Sequence, residues 1–177
     1  MICNNVIDDF HIFDGQKSYI VDTNVLLSLY GHTKFVNQSL NNTRIQKAQQ
    51  HLNKAIDSNA DVFVPAIVVS EFINCCLREE FKDYKAKIPK GTKVDYKRDY
   101  RNSNDYKKDL DYYINVLKND IFSKLKYIND SFDSVNIDNF FKFNNDDFND
   151  KLLIHIANTN NLFVISADND ISTLIIS

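Results

Sequence analysis

The hydrophobic positions of this chain change period from one segment to the next. Ser18 to Asp22, SYIVD, is short, rich in β-formers and followed by polar Thr23-Asn24, which predicts a buried strand ending at the aspartate. From Val25 to about Asn59 apolar residues recur at spacings of three and four, through Leu26, Leu27 and Leu29 and then Ile45, Ala48, Leu52, Ala55 and Ile56. Two helices joined near Gly31 to Asn42 are expected there. Val62 to Val64 predicts a second strand, and Pro65 stands where proline is tolerated, at the start of a helix running through IVVSEFINCCL. Tyr106 to Tyr127 carries one apolar stripe, Leu110, Tyr113, Ile114, Leu117, Ile121 and Leu125. Val135 to Ile137 reads as a third short strand. Asp147 or a neighbour is placed to cap a helix containing Leu152, Leu153, Ile156 and Ala157, and Leu162 to Ser166, LFVIS, is the clearest strand. The closing ISTLIIS adds an edge strand.

Strands alternating with helices imply an α/β fold with a mainly parallel sheet, because parallel neighbours need crossover connections. A chain of 177 residues suits one domain covering 1–177. Within it, the segment from about 79 to 130 is polar at first, broken by Pro89-Lys90-Gly91, and then helical in period, so it reads as a largely helical insertion. Apolar residues at 44% and charged residues at 25% place the chain in the soluble globular class. No apolar run approaches the roughly 18 residues that span a bilayer. MICNNVIDDF lacks the basic start and long apolar stretch of a secretory signal, which predicts a cytoplasmic address and no membrane partner.

Other chemistries are disfavoured by what the chain lacks. Cys3, Cys75 and Cys76 are too few and too unevenly spaced for a disulfide framework or a zinc site. His11, His32, His51 and His155 are scattered, without a Ser or Cys in a nucleophile motif. Three glycines leave no phosphate-cradling loop.

Charge matters through its distribution. The net charge is −3, yet eleven Lys or Arg face six Asp or Glu between Arg78 and Lys108. This basic stretch interleaves tyrosines, a composition suited to phosphate contacts and base stacking, and Lys93, Lys97, Arg98 and Arg101 are its candidate RNA contacts. A solvated loop anchored by its tyrosines is the competing reading.

The acids outside that stretch carry the main hypothesis. In a parallel sheet, strand C-termini and the first turns of the following helices share one edge, where ligands bind. Asp22 ends one strand, Asp168 follows another, Asp150 falls in the first turns of a helix, and Glu71 lies about two turns into the helix after the second strand. Glu71 sits among Val68, Val69, Phe72, Ile73, Cys75 and Cys76, where an ionised carboxylate costs several kcal/mol unless it is paired, hydrogen-bonded or metal-bound. Four converging carboxylates need a compensating cation. Mg²⁺ or Mn²⁺ suits an all-oxygen set, and such an ion serves phosphodiester hydrolysis. Asn24 and Ser166 are expected to orient the acids, with Asp170 as an optional fifth.

These residues lie in three blocks that together resemble a PIN domain, a family of metal-dependent nucleases. They are Val21-Asp22-Thr23-Asn24-Val25-Leu26-Leu27, then Val64-Pro65-Ala66-Ile67-Val68-Val69-Ser70-Glu71-Phe72, then Asp150 to Ala157 followed by LFVIS and Asp168. The resemblance covers residues 18 to 76 and 146 to 171. It implies a three-layer α/β/α sandwich, Mg²⁺ or Mn²⁺ dependence, and RNA cleavage by Asp22, Glu71, Asp150 and Asp168. It further implies, for many small members, a toxin of a toxin-antitoxin pair, often a homodimer, inhibited by a small protein antitoxin. The 17 residues before the first strand and the long segment from Glu79 to Asp130 depart from those small toxins. Two alternatives stand beside the nuclease. One is a catalytically silent PIN-like scaffold binding RNA or protein; the other is an acid-phosphatase-like hydrolase with Asp22 as nucleophile, weakened because Asn24 stands where that chemistry wants a second carboxylate.

Overall fold

The computed structural model describes residues 7, 11–140, 147–168 and 171. Four strands, β1 (Ser18–Val21), β2 (Asp61–Pro65), β3 (Lys126–Ile128) and β4 (Phe163–Ile165), form one all-parallel sheet in the order β3-β2-β1-β4. In β1, Tyr19, Ile20 and Val21 are fully buried, since a strand covered on both faces needs apolar side chains on both. Ile20 pairs with Phe63 on one side and Val164 on the other.

The crossovers supply helices α1 (Thr23–Tyr30), α2 (Thr33–Ser39), α3 (Thr43–Asp57), α4 (Ala66–Ala86), α5 (Asn104–Val116), α6 (Ile137–Phe140) and α7 (Phe148–Thr159). The fold is the expected three-layer α/β/α sandwich. Its core joins the strands to Val25, Leu26, Leu52, Phe72 and Ile156.

Two expectations need correction. The stretch from Val25 to Asn59 holds three helices rather than two. Gly31 closes α1 by donating its N–H to the Leu27 carbonyl at 3.0 Å, and a Cβ there would lie 2.5 Å from that oxygen, so the chain turns where only glycine fits. His32 then caps α2 by accepting from the Lys34 N–H, and the Asn42 side chain caps α3 by accepting from the Arg44 and Ile45 N–H groups.

The third strand is not Val135 to Ile137. Phe132–Ser134 form a single 3₁₀ turn and Ile137 opens α6. The strand is instead Lys126–Ile128, at the end of the stretch whose period reads as helix. Pairing with Phe63, Val64 and Pro65, together with the 2.6 Å bridge from Lys126 Nζ to Asp61, overrides the local pattern. The closing ISTLIIS lies outside the described residues apart from Ile171.

α4 continues to Ala86, past the apolar run that announced it, and carries the insertion. The insertion is pinned by tyrosines, as the competing reading expects. Tyr100 is fully buried among Phe81, Tyr84, Tyr96 and Tyr106, and its hydroxyl donates to Asp109 at 2.6 Å. Burying such a ring contributes about 2–3 kcal/mol. Tyr113 donates to Glu80 at 2.8 Å and ties α5 to α4. Two π-helical turns, Tyr96–Tyr100 and Leu117–Ile121, flank α5.

Candidate active site

The strand order fixes where a ligand belongs. The chain runs outward from β1 to β2 to β3 and then returns to place β4 on the other side of β1, so the connections diverge between β1 and β4. At such a reversal the loops leave a crevice beyond the strand C-termini. Asp22 follows β1 and Ser166 follows β4 at this point, joined by the Asp22 N–H donating to the Ile165 carbonyl at 3.0 Å.

Asp22 stands at the N-cap of α1, yet its side chain makes no capping hydrogen bond. Its carboxylate accepts from Ser166 Oγ at 2.6 Å and is only 7% exposed. Burial is the main cause raising its pKa from 3.8 to about 6. The Ser166 hydroxyl and the Thr23 N–H pull it down, while repulsion from Glu71 and Asp168 pushes it up.

Glu71 is brought to the same crevice from α4. Its Oε2 accepts from Thr23 Oγ1 at 2.9 Å and from Asn149 Nδ2 at 3.2 Å, so neutral donors from α1 and α7 hold it. Asp150 is half-buried one residue further along α7, where Asp147 does the capping by accepting from the Asn149 N–H at 2.8 Å. Desolvation first, then repulsion from Asp22, Asp147, Asp168 and Glu71, raises the Asp150 pKa from 3.8 to about 7. Asp168 is exposed, and its N–H donates to Ser166 Oγ at 2.9 Å.

The four acids expected from sequence lie near enough to repel one another, each from a different segment. Ser166 hydrogen-bonds an acid directly, as expected of it, whereas Asn24 bonds Ser166 and the Ala167 backbone rather than an acid. Asn24 Nδ2 donates to Ser166 Oγ at 3.4 Å, and Asn24 Oδ1 accepts from the Ala167 N–H at 3.3 Å. Asp170 lies outside the described residues. Sequence reasoning missed Thr23 and Asn149, the two donors to Glu71; each adjoins a predicted acid, which was the available signal.

The donor set fits a hard dication. Among the described residues no Lys or Arg bridges Asp22, Glu71 or Asp150, and every potential ligand atom is a carboxylate oxygen. No three of the four acids bring ligand atoms within 4.8 Å of one another; among the described residues His32, Glu80 and Asp83 alone meet that spacing. This trio is explained by its own hydrogen bonds. His32 Nδ1 accepts from the Lys34 N–H at 3.2 Å, which leaves the neutral ring's proton on Nε2, facing Asp83 Oδ2 at 3.1 Å. A nitrogen that donates there has no lone pair for a metal.

The four candidate RNA contacts separate. Lys97 and Arg101 line a groove beside α4. Arg98 is held by Asp99 at 2.9 and 3.0 Å, and Lys93 is exposed in the segment before the first π-helical turn. Cys76 is buried and Cys75 half-buried, both as free thiols, while Cys3 lies outside the described residues. Among the described residues no helix is long and apolar enough to cross a membrane.

No protein-family model, curated protein or solved structure matches this chain.

Proposed function

We propose that this chain is a divalent-metal-dependent nuclease of PIN type that hydrolyses RNA phosphodiester bonds endonucleolytically. One observation carries the reading: carboxylates from four segments lie near one another beyond the divergence of β1 and β4, and two of them have pKa values raised first by burial and then by neighbouring acids. Like charges held together, with Asp22 buried and Asp150 half-buried, cost stability without a cation between them, which points to a ligand of opposite charge. The order and surroundings of the three PIN-like blocks support the same reading.

Asp22, Glu71, Asp150 and Asp168 would hold Mg²⁺ or Mn²⁺. When bound, such an ion supplies charge for phosphate oxygens and acidity for a coordinated water. The chain's own part is orientation. Ser166 fixes Asp22 Oδ2, Thr23 and Asn149 fix Glu71 Oε2, and Asn24 locks the start of α1 to the segment after β4. The same resemblance supports a toxin role, with a small protein antitoxin as inhibitor and a homodimer as the assembly.

The second reading, a catalytically silent scaffold, draws support from the spacing of the acids, no three of which bring ligand atoms within 4.8 Å of one another. End-labelled RNA incubated with Mn²⁺ or with EDTA separates the two. The nuclease yields internal cleavage products that EDTA abolishes; the scaffold binds the RNA and leaves it intact under both conditions.

A further inference from the structure

A groove of about 900 Å³ lies along α4, beginning at Ile73 and Asn74, just beyond Glu71. Its rim carries five cations, Arg78, Lys82, Lys85, Lys97 and Arg101, against the single carboxylate of Glu79. That carboxylate is already answered by Lys34 at 3.0 Å and by Lys82. Arg78, Lys85, Lys97 and Arg101 are exposed and form no salt bridge among the described residues. Cations gathered in a concave surface repel one another and concentrate an anion there.

The walls between these cations are flat rings. Phe81 and Tyr96 meet edge to face at 5.2 Å, both half-buried, and Tyr106 completes the wall. Lys85 Nζ lies over the Phe81 ring at 4.7 Å and the Arg101 guanidinium over Tyr106 at 5.8 Å, so charge and ring face are offered side by side. The π-helical turn Tyr96–Tyr100 presents Tyr96 and Lys97 to the groove while buried Tyr100 anchors it from behind. Along α4, Glu71, Asn74 and Arg78 fall on one face, so Arg78 stands about 10 Å along the axis from the candidate site.

We infer that this groove is a docking track for single-stranded nucleic acid, with backbone phosphates on Arg78, Lys85, Lys97 and Arg101 and bases against Phe81, Tyr96 and Tyr106. Alternating anionic and flat apolar groups are what a single strand presents, and an acidic peptide offers the charge without the rings. The purpose of the track, leading a strand toward the four acids, rests on the nuclease reading; strand binding itself does not.

The test is fluorescence anisotropy with fluorescein-labelled U12 and dT12 in EDTA, where cleavage plays no part. The variant K85Q/K97Q/R101Q alters exposed side chains only. It is expected to bind at least tenfold more weakly and to lower the log–log salt slope by about 2, as loss of three phosphate contacts to a single strand requires. Tyr96→Leu is expected to weaken binding about tenfold with the slope unchanged. Triple-variant affinity within twofold of the parent, or displacement of U12 by oligo-glutamate at equal charge concentration, would overturn the inference. Tight chelated binding without any Mn²⁺-dependent cleavage would support the track and count against the nuclease reading alone.

Discussion

Removing one buried charge should make the metal-free protein more stable. The Asp22 carboxyl has a pKa of about 6 in the folded chain against 3.8 ordinarily, so the folded state keeps its proton to higher pH than the unfolded chain does. Its favourable contribution is fully present below about pH 4 and is lost as pH rises through 6. A shift from 3.8 to about 6 corresponds to about 3 kcal/mol of strain from the ionised carboxylate at pH 8. Asp22→Asn removes that charge and keeps an oxygen to accept the Ser166 hydroxyl, while its new amide hydrogens need acceptors. The expected gain is roughly 1–3 kcal/mol, or roughly 3–10 °C in Tm for a chain of this size. Thermal denaturation in EDTA at pH 4 and pH 8 reads it: the variant should melt higher at pH 8 and nearly level with the parent at pH 4. With Mn²⁺ at about 100 times its Kd, the parent alone should gain about 2.7 kcal/mol, which narrows or reverses the order. A variant less stable than the parent in EDTA at pH 8, or a difference independent of pH, would refute the reasoning.

Ser166→Ala takes away the hydroxyl that pulls the Asp22 pKa down, so the acid limb of any metal-dependent cleavage should move to higher pH in a pH–rate profile. Glu71→Gln should cut cleavage by at least 10²-fold while circular dichroism stays unchanged, because Gln Oε1 still accepts from Thr23 and Asn149. Gly31→Ala should cost about 1–3 kcal/mol in urea denaturation, since the added Cβ meets the Leu27 carbonyl at 2.5 Å.

The parts of this molecule legible in its sequence are those where local pattern and tertiary role agree. SYIV and FVI are apolar because both faces of the sheet are covered, so β1 and β4 announce themselves, and with them the ends that carry Asp22 and Asp168. Lys126–Ile128 has no such pattern: Lys126 and Tyr127 are exposed, and only the neighbouring β2 makes the segment a strand. The break at Gly31 depends on a 2.5 Å approach to a backbone oxygen, which apolar spacing cannot encode. In the site, charged residues stood out against apolar surroundings. Thr23 and Asn149 are neutral residues common at helix starts, and their hydrogen bonds to Glu71 cross 48 and 78 residues. The basic stretch was visible as composition, but only the fold divides Lys97 and Arg101, which face the groove, from Arg98, which is held by Asp99.

The most direct measurement is a Mn²⁺ titration followed by electron paramagnetic resonance, with parent and Asp22→Asn compared at pH 8. Saturable binding by the parent, weakened at least tenfold in the variant, is the result expected of oxygen ligands gathered beyond β1 and β4. Equal affinity in the two proteins, or no saturable binding by the parent, would contradict a cation site at these acids.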